Sequence, residues 1–128
     1  MTKQLLLKLC TSAVLLLLSS AAFSHAKSVI ANPAPRSVVT HSPEIVAVLF
    51  NQQLEPAYST LVVTNSNGEL VTDTSAVIDP SNNKRLTLTL PDLPSGQYTV
   101  TYNVLSLDGH VVKSNYKFRI KKAAPLAD

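Results

Sequence analysis

From Tyr98 to Val104 the chain changes sides at every step, with Tyr98, Val100, Tyr102 and Val104 alternating with Thr99, Thr101 and Asn103. Residues two apart in an extended strand share a face, so this pattern buries one side of a strand and gives the other to water. Leu86, Leu88 and Leu90, separated by Thr87 and Thr89, repeat it. After residue 24 no segment carries apolar residues at a helical period. Candidate strands are 27–31, 44–50, 59–64, 69–71, 75–78, 85–90, 96–105 and 111–121. Turn residues divide them: Asn65-Ser66-Asn67-Gly68, Asp79-Pro80-Ser81-Asn82-Asn83 and Pro91-Asp92-Leu93-Pro94-Ser95-Gly96, which tolerate positive φ or cannot continue a central strand. About seven one-sided strands in one short chain predict an all-β fold, a two-sheet sandwich with Greek-key connections.

Residues 1–24 read as a cleaved secretory signal peptide, with Lys3 and Lys8 ahead of an apolar run over 13–18 and small residues at Ala22 and Ser24. The run is shorter than the roughly 20 residues that span a bilayer, and Ser19 and Ser20 interrupt it. Cys10 precedes the run, behind Lys8 and Leu9 where a lipoprotein needs small residues, so it leaves with the signal. Cleavage makes His25 the first residue of a 104-residue chain, the size of one domain. We expect that domain over 25–122 and a disordered tail over 123–128.

Two of the eleven basic residues and none of the eight acidic ones lie in the signal, which leaves nine against eight and a net charge of +1. So weak a field argues against nucleic acid as a partner. Cys10 and Met1 are the single cysteine and methionine, so the exported chain has neither. No disulfide can staple it, and any metal it holds must use nitrogen and oxygen donors.

Asp108-Gly109-His110 lies between the last two long strands. Residues two apart can converge if Gly109 allows it, although Asp-Gly is also a common turn pair and alone is a weak sign. Joined to a free N-terminus at His25, whose amine and ring can chelate one ion, the segment completes a set of one amine, two imidazoles and a carboxylate. Divalent copper suits such donors best, and zinc would accept a tetrahedral subset of them. His41, in a loop before a strand, reads as a surface residue. The tyrosines read as sheet or core aromatics.

The chain resembles the CopC family of periplasmic copper-binding, copper-resistance proteins along nearly all of its exported length. The residues that carry the likeness are His25-Ala26, Asn32-Pro33-Ala34, Val48-Leu49-Phe50, Leu93-Pro94-Ser95-Gly96-Gln97-Tyr98-Thr99-Val100, Val104 to His110, and Tyr116-Lys117-Phe118. The resemblance implies an immunoglobulin-like β-sandwich and a role in copper homeostasis in the periplasm as a carrier or buffer. It also implies one Cu(II) per chain in a histidine brace: the His25 amine and Nδ1, His110, and an oxygen of Asp108. A monomer and a CopD-like inner-membrane copper transport protein as partner go with that reading.

Two departures stand out. Many relatives carry an acidic residue after the early Leu-x-Phe, where this chain has Asn51-Gln52, so a carboxylate supporting the ligands is missing. The methionine-rich Cu(I) stretch of some members is absent as well. Two other classes compete with a non-enzymatic copper protein. A brace-type oxidative enzyme needs an open copper position and a substrate platform, which Asp108 and a tryptophan-free chain disfavour. A purely structural sandwich would leave His25 and His110 far apart.

Overall fold

The computed structural model describes residues 27–126. Eight strands, β1 (Ser28–Asn32), β2 (Val38–Val39), β3 (Ile45–Phe50), β4 (Thr60–Thr64), β5 (Val77–Asp79), β6 (Asn82–Thr89), β7 (Gly96–Leu105) and β8 (Val111–Ile120), form two four-stranded sheets of order β1-β3-β6-β5 and β2-β8-β7-β4. A 3-10 turn at Pro56–Tyr58 accompanies them. The protein is the all-β, two-sheet sandwich that the alternation predicts.

The core lies where the alternating apolar residues of both sheets meet. Val46, Val48 and Phe50 of β3 and Leu86 and Leu88 of β6 face Leu61, Val63, Val100, Val104 and Phe118 of the second sheet, all nearly inaccessible to water. Phe50 meets Tyr102 edge-on at 5.3 Å between ring centroids, and Tyr98 stacks on Phe118 at 5.7 Å, separations at which aromatic pairs add to plain burial. The Tyr98 hydroxyl donates to the Pro94 carbonyl at 2.7 Å, the back-bonded tyrosine that marks a strand entry in immunoglobulin-like sandwiches. Thr87 departs from one-sided alternation. It is buried between two leucines because its hydroxyl donates to the Val77 carbonyl of β5, which satisfies the polar group it brings inside.

The strand boundaries need three corrections. Segment 69–71 is no strand: it meets β4 only through an isolated bridge from Leu70 to Thr64. The Asn65 side chain accepts from the amides of Asn67 and Glu69, so the returning chain closes on the loop instead of extending a ladder. Strand β6 begins at Asn82, inside the segment read as a turn, because the reversal is complete by Asp79-Pro80-Ser81. The two-residue β2, running parallel to β8 at Arg119 and Ile120, has no alternation long enough to announce it. Beyond Ile120, residues 121–126 form no regular element.

Candidate metal centre

Strands β7 and β8 pair without a register break from Gly96↔Ile120 to Leu105↔Val111, and five residues join them. The Gly109 amide donates to the Ser106 carbonyl at 2.9 Å and the Ser106 amide to the His110 carbonyl at 3.0 Å. Closing so tight a loop puts Gly109 at φ +90, where a side chain would be strained. The turn folds Asp108 back onto the loop and brings its Oδ1 to 3.1 Å from His110 Nδ1. Both side chains are partly open to solvent, 38% and 31% exposed, so an ion could reach them from water.

The buried Ser106 hydroxyl, absent from the candidate set, faces the Asp108 carboxylate as a donor. That bond holds the Asp108 carboxyl below its ordinary pKa, with the His110 contacts helping and partial desolvation opposing. Asp108 is therefore a fixed anion beside the imidazole. The sequence signal for Ser106 was its place two residues before Asp108, at the entry to the turn.

Asn51 to Glu55 clamps the outside of this loop. The Leu107 amide donates to the Gln53 carbonyl at 3.0 Å, and the Glu55 amide to the Leu105 carbonyl at 2.8 Å. The start of the described chain lies at this end too. The Lys27 amide donates to Asn51 Oδ1 at 2.8 Å, and the Asn51 amide donates back to the Lys27 carbonyl at 3.0 Å. Asn51, noted in the sequence only as the place where a carboxylate is missing, anchors the chain start.

His25 and its amine lie outside the described residues, as do the signal segment and Cys10. Among the described residues Asp108 and His110 gather no third His, Cys, Asp or Glu into a cluster able to hold a metal. His41 sits at the opposite pole, near Asp92 and Lys122 at the far end of β8, about 30 Å from His110 along a ten-residue strand. Its Nδ1 is bonded to the Thr40 hydroxyl, and the surface assignment holds. Tyr98 and Tyr102 are core aromatics as expected, and Tyr58 is exposed.

Residues 29–121 match the CopC domain family. The structure of CopC from Methylosinus trichosporium OB3b superposes with a TM-score of 0.74 and 36% identity, covering 80% of this chain and 100% of that one. Copper transport protein CutJ of Bacillus subtilis is 33% identical over 110 residues, which are 85% of this chain but 20% of that protein. Copper resistance protein C of Xanthomonas campestris pv. juglandis is 30% identical over 111 residues, 82% of this chain and 87% of its own length. A match spanning both the sandwich and the loop that carries Asp108 and His110 assigns the chain to the CopC domain family.

Proposed function

We propose that residues 1–24 are removed on export and that residues 25–122 form a periplasmic Cu(II)-binding domain, a carrier or buffer of copper and not an enzyme. One Cu(II) per chain is held by the His25 amine and Nδ1, by His110 and by Asp108. The carrying observation is the pair of hydrogen bonds tying the Lys27 backbone to the side chain and amide of Asn51, at the end of the sandwich where the Gln53 carbonyl holds the Leu107 amide of the Asp108–His110 loop. Two residues reach at most about 7 Å, so a chain beginning at His25 starts within a short arc of that loop. Asp108 and His110 alone offer one oxygen and one imidazole. The amine and ring of His25 supply the nitrogens that turn this pair into a tetragonal site of the kind Cu(II) prefers.

The names of the relatives, a copper resistance protein and a copper transport protein, support copper as the cargo. In the Bacillus protein a segment like this one is part of a longer transport chain, which supports a CopD-like membrane partner for this monomer.

The test is to express the chain with its own leader, establish the N-terminus by intact mass, and titrate with Cu(II) under electron paramagnetic resonance. One tightly held ion with nitrogen hyperfine structure is expected. A chain that begins at His25 and gives no specific copper signal defeats the proposal.

A further inference from the structure

Strand β8 pairs with β7 along its whole length, but on its other side it meets β2 only at Arg119 and Ile120. The Lys117 carbonyl accepts from the Arg36 amide, the Arg119 amide donates to Ser37 and the Lys121 amide to Val39, so odd-numbered residues turn their backbone groups away from β7. The unbroken antiparallel register extends this alternation to Val111, Lys113 and Asn115. Among the described residues nothing pairs with the outward groups of these three. A run of unmet donors and acceptors thus begins one residue after His110 and continues to Asn115, about 15 Å of edge.

The side chains along this edge are basic. Lys113, Lys117, Arg119 and Lys121 alternate on the solvent face, all exposed, and among the described residues none of them is in an ion pair. No acidic residue lies on β7 or β8; Glu69, Asp73 and Asp79 belong to the β4–β5 connection and β5, on the far side. Beneath the edge, between the two sheets, a cavity of about 580 Å³ is lined by Ser28, Tyr102, Ser114 and Tyr116. The buried Tyr116 hydroxyl has no hydrogen-bond partner among the described residues.

We propose that the free edge of β8 is a docking site for an extended, acidic segment of a partner protein, which adds a strand beside Val111–Asn115. The backbone groups supply the ladder, as in other strand-addition complexes. Asp or Glu at alternate positions of the incoming segment meets the lysines, and the residues between them turn toward the cavity and the Tyr116 hydroxyl. A second copy of this chain is a poor occupant, because pairing two β8 edges sets lysine against lysine or arginine, and like charges across strands repel.

The probe is a nine-residue acetylated and amidated peptide of alternating Glu and Val, added to the full exported chain, with amide hydrogen exchange read by NMR. Exchange at Lys113 and Asn115 should slow about 10-fold at 90% occupancy. Lys113→Glu combined with Lys117→Glu should weaken binding about 10-fold. Asn115→Pro, which removes one outward donor and is tolerated on an edge, should weaken it too, with circular dichroism checking the fold. The proposal is overturned if the peptide gives no protection at millimolar concentration, if a Lys-Val peptide protects equally, or if the charge-reversed protein binds as well. Binding to phosphatidylglycerol vesicles without protection by the peptide would assign the cations to a membrane surface and overturn it as well.

Discussion

The Ser106 hydroxyl donates to the Asp108 carboxylate and also reaches the His110 carbonyl at 3.2 Å, so one buried oxygen ties together both ends of the pair. Ser106→Ala should weaken Cu(II) binding about 10-fold, the lower end of what groups supporting metal ligands contribute. It should cost roughly 1 kcal/mol of stability. Competition titration and urea unfolding read the two effects separately, and an unchanged dissociation constant would leave Ser106 a purely structural residue.

Removing ligands should act more strongly. His110→Ala is expected to cost at least about 10-fold in Cu(II) affinity. A Gly added before His25 should weaken binding as well, since the terminal amine then no longer belongs to the histidine. Equal affinity with and without the added residue would remove the amine chelate from the site.

Gly109→Ala tests the turn itself. At φ +90 no neighbouring atom lies within 4 Å of an added Cβ, so the cost is conformational alone, about 1–2 kcal/mol. A fall in Tm of about 5–10 °C is the readout. Retention of the full melting temperature would mean the loop can rebuild in another conformation.

Asp79 contributes to stability at acid pH. Bonds from the Ser81 side chain and backbone, and then from Arg85 at 2.7 Å, hold its carboxyl at about 2 instead of the ordinary 3.8. The fold thus favours the ionised form. Its contribution is complete above about pH 4 and fades as the pH falls toward 2. The difference in Tm between the wild type and Asp79→Asn should be largest above pH 4 and shrink steadily as the pH falls to 2. A difference that does not change across that interval would contradict the assignment.

Tyr116→Phe should leave stability unchanged or raise it by up to about 1 kcal/mol, because a buried hydroxyl without a partner costs more than it returns. Burial also pushes its pKa well above the usual phenol range, so the phenolate should not form on mild alkalisation. A loss above about 1 kcal/mol in urea would reveal a bonded hydroxyl.

The two-sheet fold was legible because long strands write their burial at every second residue: Tyr98 to Val104 is buried as its alternation requires. Strand β2 was not, since two residues carry no period and its partner, β8, is about 80 residues away. Segment 69–71 misled for a related reason: its composition suits a strand, but the Asn65 carboxamide captures the amides that would have entered a ladder. In the candidate centre Asp108 and His110 were legible as neighbours two apart, although a tight turn and not an extended strand brings them together. Asn51 and Lys27 act through a contact between segments 24 residues apart, and no local pattern announces such a contact.

The two hydrogen bonds between Lys27 and Asn51 have a consequence that can be put as a concentration. A group tethered two residues beyond that clasp is confined to a sphere of about 7 Å radius, equivalent to an effective concentration of about 1 M beside the loop. In the proposed site, an amine at His25 would thus be offered to the Asp108–His110 loop as if in molar solution. The folding of β1 onto β3 meets the entropy of bringing two distant parts of the sequence together, which in the proposed site would leave an arriving ion little to order.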